Sequence, residues 1–338
     1  MVTGFGKITT TTKTMQTHFS IISSALAVPA QVVTNDELTT RMATSDEWIR
    51  QRTGILQRHV ATTETTTSLA IAVARQLLTQ SGYAAQQVDL IIVATMSPDF
   101  LTPATATQVQ AAIGADHAVA FDINAAYAGF VYGMEVVHRL LAPSQTALLI
   151  GSETLSRLVD WHDRRTAVLF GDGAGGVLIT RSAAQVTGRW LGAHYATFGA
   201  SGHYLTAGQL PLTSPWRPPV KADWPFQMNG RRVYNFAIRQ VPVSIQAALT
   251  QVELTTQDVK AFILHQANAR IIDSVGDKLG LDYAQLPMNI ASYGNTAAAS
   301  EPILLAELMA LNHFKRCDKL VFTGFGGGLS VGTAIIEF

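Results

Sequence analysis

Gln87-Val-Asp-Leu-Ile-Ile-Val93 and Asp258-Val-Lys-Ala-Phe-Ile-Leu264 share one shape, a polar turn followed by an uninterrupted apolar run of strand length. Runs of this kind are what strands buried on both faces of a sheet look like. The two are offset by 171 residues, Val88 to Val259, and three further pairs recur in the same order. Ala120-Phe-Asp-Ile-Asn-Ala-Ala-Tyr127 parallels Pro287-Met-Asn-Ile-Ala-Ser-Tyr293, and both lead into small residues that open a helix. Ala147-Leu-Leu-Ile-Gly151 parallels Leu320-Val-Phe-Thr-Gly324, and Gly175-Gly-Val-Leu-Ile-Thr180 parallels Gly332-Thr-Ala-Ile-Ile-Glu337. The offset drifts only from 173 (Ala147 to Leu320) to 157 (Gly175 to Gly332), so the chain reads as one unit written twice.

Between these runs the periodicity is helical. Leu69, Ala72, Val73, Leu77 and Leu78 share one helix face, as do Val233, Phe236, Ala237 and Val241. Strands alternating with helices imply parallel pairing, and α/β sheets gather their active sites at the carboxyl ends of strands. Residues 15–185 form the expected first half and 186–338 the second. Residues 186–230 lose periodicity and collect Trp190, Trp216, Trp224, Pro211, Pro215, Pro218, Pro219 and Pro225. The aromatics need burial, so the segment is expected to be a lobe folded over the core rather than a linker. Residues 1–14 are threonine-rich without apolar periodicity and read as a disordered tail or upstream-start extension, with Met15 the natural beginning.

The bulk numbers exclude several classes. Of 338 residues, 48% are hydrophobic and 14% charged, which fits a packed α/β protein and not a disordered one. Lys plus Arg equals Asp plus Glu at 24 each, so no net field draws the chain to nucleic acid or to an anionic membrane. The apolar stretch from His117 to Leu141 is broken by Asp122, Asn124, Glu135 and His138 and is too polar to cross a bilayer. Lys7 and Lys13 ahead of Phe19–Val33 imitate a secretory signal only weakly. The single cysteine, Cys317, excludes an intrachain disulfide, and a cytoplasmic location is expected. No HxxH or HExxH spacing occurs among the nine histidines, so no metal is expected.

Four strings carry possible chemistry. Gly171-Asp-Gly-Ala-Gly-Gly176 satisfies GxGxxG, but Val177-Leu-Ile-Thr180 after it is a strand pattern, whereas a dinucleotide site needs a helix N-terminus there. It reads as a tight turn. His265-Gln-Ala-Asn268 follows the apolar run Ala261–Leu264, which sets an imidazole at a strand's carboxyl end; a lone histidine is more often a satisfied structural residue than a functional one, so it needs a partner. Asn295, in Tyr293-Gly-Asn-Thr296, is its candidate partner, two neutral donors able to hold a developing oxyanion. Gly324-Phe-Gly-Gly-Gly328 exposes backbone N–H groups, as an oxyanion loop or simply as a crowded turn. Cys317 lies before the strand that leads to this loop, at the opposite end from a site, and is not taken as a nucleophile.

Taken together, Thr44-Ser-Asp-Glu-Trp-Ile49, Arg52-Thr-Gly-Ile55, Asp122–Phe130, Phe170-Gly-Asp-Gly-Ala-Gly175, His265–Asn268, Gly294-Asn-Thr296 and Phe325-Gly-Gly-Gly328 resemble the β-ketoacyl-acyl carrier protein synthase III family from about Phe19 to Phe338. The resemblance implies a thiolase-like duplicated fold, α/β, five-layered α-β-α-β-α with two central mixed sheets, and a homodimer. It implies an acyltransferase that joins a short acyl group from acyl-coenzyme A to malonyl-acyl carrier protein with loss of carbon dioxide, the step that starts fatty-acid chains. No cofactor is implied beyond the coenzyme A thioester itself. By motif position His265 and Asn295 would hydrogen-bond the thioester carbonyl and stabilise the enolate, Gly327 would lend its N–H to the acyl oxyanion, and Phe325 would stand beside the nucleophile. Trp48, Arg52 and Arg164 match positions around the adenine end of coenzyme A, where Arg and Trp stacking make a clamp. Arg270 matches a carrier-protein docking position. Thr102, with Leu101, matches a loop that reaches across the dimer toward the acyl pocket.

The family carries a nucleophilic cysteine at the sixth position of the 122–130 string, and here that residue is Tyr127. Ionising a phenol at pH 7 costs about 4 kcal/mol, and a phenol is a far poorer acyl acceptor. Condensation is therefore expected to be lost or strongly impaired, with the ring filling part of the acyl pocket. Three readings follow: a condensing enzyme altered at its nucleophile, a malonyl-thioester decarboxylase that works without an acyl-enzyme, or a silent binding subunit.

Overall fold

The structure is a computed structural model that describes residues 18–182, 188–210, 215–216 and 224–338. The 1–14 tail, Met15, Pro211, Pro218 and Pro219 lie outside the described residues.

Two sheets carry the fold. The first has the strand order Ser20–Ala27, Gly173–Thr180, Thr146–Glu153, Leu90–Ala94, Val119–Ile123. The second runs Arg189–Thr197, Ser330–Glu337, Lys319–Gly326, Ala261–Leu264. Read in that order, each begins with two antiparallel pairings and continues with a parallel one. The two sheets thus repeat one topology, the duplication that the paired strings indicate.

Alternation along the buried strands builds the layers. Leu90 and Ile92 turn inward to a core shared with Phe130, Met134 and Val137 of helix Gly129–Leu140 and with Leu304 and Leu305 of helix Ser300–Ala310. Ala261, Ile263, Leu320 and Phe322 of the second sheet close that core from the other side. Ile91 and Val93 turn outward onto Leu69, Val73 and Leu77 of helix Thr66–Ser81. Phe262 and Leu264 turn outward onto Val241 and Ile245 of helix Gly230–Gln251 and onto Ile272 and Val275 of helix Ala269–Leu279. The result is five layers, helix, sheet, paired helices, sheet, helix. No described helix is long and apolar enough to cross a membrane.

Three expectations change. Pro287–Tyr293 supplies no fifth strand to the second sheet but an irregular stretch and the short helix Ile290–Tyr293. Pro287 has no N–H to give a ladder, and the Asn289 N–H goes to the Gln266 side chain, 3.1 Å away, whose own amide is spent on the Leu264 carbonyl at 2.8 Å. The stretch taken as the start of a covering lobe is instead the edge strand Arg189–Thr197, hydrogen-bonded along Ser330–Glu337. The aromatics beyond it are not all buried, since Trp216 is 89% exposed.

Candidate active site

Tyr127 sits in the one-turn 3₁₀ segment Ala126–Ala128 between the edge strand of the first sheet and helix Gly129–Leu140. Ala126 before it has φ of 46°, in the left-handed region that non-glycine residues seldom occupy. This sharp corner turns the residue 127 side chain to the carboxyl end of the sheet. Its ring packs on Gly326, where a Cβ would lie 2.4 Å from Tyr127 Cδ2, and has Phe170 6.5 Å away. Glycine at 326 is what admits the ring.

His265 follows strand Ala261–Leu264 directly, its N–H bonded to the Thr323 carbonyl of the neighbouring strand. Its ring is 5.2 Å from the Tyr127 ring and 5.3 Å from that of Phe325. Burial pushes the imidazole down to about 3, partly offset by the Ala297 backbone, so it is neutral at physiological pH. Neither ring nitrogen has a hydrogen-bond partner of normal geometry. Asn295 is locked in place by its backbone, N–H to the Leu169 carbonyl at 2.9 Å and carbonyl to the Gly171 N–H at 3.0 Å. Its side-chain oxygen accepts from the Ala297 N–H at 3.0 Å, which leaves the carboxamide NH₂ as the outward donor.

Tyr127, His265, Asn295 and Phe325 line one cavity of about 220 Å³, with Trp48 and Arg52 also on its wall. Trp48 carries two guanidinium groups over its ring, Arg52 at 4.5 Å and Arg164 at 5.1 Å from the centroid. Arg164 is tied to the Ala43 carbonyl at 2.9 Å and stands outside the lining, where the neighbouring Arg165 takes a place instead. Arg270 is exposed in the first turn of helix Ala269–Leu279, beside lining residues Asn268 and Ile271. Gly327 faces a second cavity of about 270 Å³ that also contains Met96, Asn124 and Phe226. Tyr127 lines both cavities.

Thr102 is not brought to the site within one chain; it lies on the exposed loop with Phe100 and Leu101. The GxGxxG string runs straight into strand Gly173–Thr180, with no helix behind the glycines to receive a pyrophosphate. Cys317 is exposed ahead of strand Lys319–Gly326, at the end away from Phe325.

Two buried glutamates were not singled out from the sequence. Glu153 ends strand Thr146–Glu153 and accepts hydrogen bonds from Thr95 Oγ1 (3.2 Å), the Met96 N–H (3.1 Å) and Ser97 Oγ. Burial pushes its carboxyl up to about 7 against those bonds. A lone acid closing an otherwise buried strand at its carboxyl end was the available signal. Glu301 lies behind residue 127, and its Oε1 is 2.9 Å from where a Cβ on Gly324 would stand.

Comparison with known proteins decides the family. The family model for 3-oxoacyl-[acyl-carrier-protein (ACP)] synthase III matches residues 121–199, and the model for its C-terminal part matches 249–338. The "Beta-ketoacyl-[acyl-carrier-protein] synthase III 2" of Lactiplantibacillus plantarum is 70% identical over 328 residues, 96% of this chain and 100% of that protein. The chain belongs to the β-ketoacyl-acyl carrier protein synthase III family. A Levilactobacillus brevis synthase III is 57% identical over 95% of this chain and 99% of its own length. The crystal structure of the synthase III from Aquifex aeolicus VF5 superposes with a TM-score of 0.87 at 36% identity, covering 95% of this chain and 100% of that one. Synthase III enzymes are acyltransferases, and the thiolase-like fold of the family is the one described above.

Proposed function

We propose that this chain binds acyl-coenzyme A and malonyl-acyl carrier protein at the cavity lined by His265 and Asn295, and that Tyr127 at the nucleophile position stops the decarboxylative condensation that starts fatty-acid chains. One observation carries this reading. The Tyr127 hydroxyl is buried without a hydrogen-bond partner, and burial together with the Glu153 carboxyl pushes the phenol further up from its ordinary value near 10. No base takes its proton, so an acyl-enzyme does not form at residue 127. The double cation–π stack on Trp48 suits the adenine end of coenzyme A, and Arg270 suits an acidic carrier protein, which a chain of zero net charge must meet through a local patch. The reaction needs no bound cofactor, and the protein works as a homodimer.

Tyr127→Cys is expected to gain acetyl transfer and condensation, while the parent chain shows no acyl adduct by intact-mass spectrometry after exposure to acetyl-coenzyme A. An adduct on the parent, or a cysteine variant that stays inert, ends this reading.

A second reading is favoured by the state of the donor pair. His265 is held neutral by burial, and Asn295 turns its NH₂ outward because Ala297 holds its oxygen. Both are therefore donors to a thioester oxygen, which is what decarboxylation of a malonyl thioester requires and what needs no acyl-enzyme.

A further inference from the structure

Three polar atoms at the heart of the site are buried and unpartnered: the Tyr127 hydroxyl and both ring nitrogens of His265. Orphaned groups at a site call for a partner that the free protein lacks. If His265 and Asn295 take the thioester oxygen of a malonyl group, that engages the one imidazole nitrogen that carries a proton and leaves the other, an acceptor, together with the phenol. Decarboxylation also leaves something over: an enolate carbon that, with no acyl group on residue 127 to attack, must receive a proton.

Three other polar groups on the cavity wall are engaged. Thr53 donates to the Ile49 carbonyl at 2.7 Å, the Tyr234 hydroxyl meets Ser274 at 3.0 Å, and Arg165 pairs with Asp163 at 2.8 Å. Tyr127 offers an uncommitted O–H on a ring whose centroid is 5.2 Å from that of the imidazole, with the ring held by Gly326 and Phe170. Resting on the decarboxylase reading above, we infer that Tyr127 is the proton donor to the enolate carbon, a catalytic acid that makes this site convert a malonyl thioester into an acetyl thioester.

The step balances. The bond between the carboxylate carbon and C2 of the malonyl group breaks, carbon dioxide leaves, and the electron pair moves onto the thioester oxygen held by His265 and Asn295. That pair returns to C2 as C2 takes the proton from Tyr127 Oη. Water returns a proton to the tyrosinate, and the hydroxide formed combines with carbon dioxide as bicarbonate. An enolate carbon is a stronger base than a phenolate, so the transfer runs downhill. Burial and Glu153 keep the phenol protonated through the neutral range, so the O–H is present at each turnover. Unliganded sites hold such contacts loosely and tighten them around substrate.

The test is Tyr127→Phe assayed with malonyl-coenzyme A for carbon dioxide release, beside the parent and His265→Ala. The phenylalanine variant loses no hydrogen bond, so its melting temperature is expected to stay level or rise. Its release rate is expected to fall ~100-fold or more with KM unchanged, the usual scale for a general acid, and to lose the parent's solvent deuterium isotope effect. A role in packing alone leaves that isotope effect in place. Parent release no faster than His265→Ala overturns the decarboxylase reading and this assignment with it. Parent release that Tyr127→Phe matches in rate and isotope effect overturns the assignment of Tyr127 alone.

Discussion

Glu301, in the first turn of helix Ser300–Ala310, is fully buried, and neither carboxylate oxygen has a hydrogen-bond partner. Such a group stays protonated, and burial holds its pKa well above the ordinary 4.5. The folded chain therefore keeps a proton that the unfolded chain releases. The associated stability is complete below about pH 4.5 and is lost as the pH rises through the folded value. Glu153, pushed up to about 7, acts in the same direction between 4.5 and 7. His265, pushed down from 6.5 to about 3, acts the other way, its contribution lost as the pH falls through that window. Subtracting the melting curve of Glu301→Gln from that of the parent isolates one of the three. The difference is expected to widen with rising pH, the variant melting ~2 °C or more higher at about pH 8. Parallel curves across the whole range would mean that Glu301 has an ionised or bonded form in the fold.

At the scale of elements, each half makes the same corner and seats it on the other half. Ala126 has φ of 46° and Ala297 φ of 43°, each the first residue of the 3₁₀ turn that leads into an inner helix. Gly324 takes the first corner, where a Cβ would stand 2.7 Å from Ala128 Cα; Gly151 takes the second, where a Cβ would stand 2.0 Å from the Ala298 carbonyl oxygen. Both contacts are with backbone, which has no rotamer to yield. Gly151→Ala is therefore expected to lower stability by about 3 kcal/mol, the upper range for overpacking, read as a shifted denaturant midpoint at constant slope. An unshifted midpoint would show that the halves part at this contact without cost.

This reciprocity explains what was legible. Matched strings around Gly151 and Gly324 revealed the duplication because backbone contact restricts which residues fit. The repeat was unreadable at the edges, where such restriction lapses. Arg189–Thr197 is half-buried along nearly its whole length and shifts register within its pairing, so it shows no clean alternation. Likewise His265 and Asn295 were legible from strand ends and turns. Glu153 offered only the sign of an acid closing an apolar strand, and Glu301 offered none, because its meaning lies in burial that only packing reveals.

On the scale of the molecule, one surface is left unfinished by a single chain. Among the described residues, strand Val119–Ile123 ends the first sheet with a free edge, and its Val119 is 63% exposed. The preceding loop lifts Phe100, 57% exposed, and Leu101, 76% exposed, into solvent. That loop is held at both ends. Asp99 accepts from the Thr66 and Thr67 N–H groups at 3.2 and 2.8 Å, and Asp122 accepts from those of Thr105 and Ala106 at 2.7 Å each. A tip fixed at its base while presenting apolar side chains beside a bare strand edge is the form of a surface meant to be covered. As proposed above, the cover is a second copy: the edge strand carries the corner that sets Tyr127, so pairing edge to edge would brace both sites, and the Thr102 loop would then lie at the contact between copies. Sedimentation at micromolar concentration is expected to give a mass near twice the chain's 36.3 kDa. Leu101→Glu, at a side chain that stands mostly in solvent, is expected to shift that mass toward one chain and to weaken acyl-thioester binding while the fold stays intact by circular dichroism. A parent that sediments as one chain, or a variant that stays paired, would place the covering partner elsewhere and leave Thr102 without a role at the site.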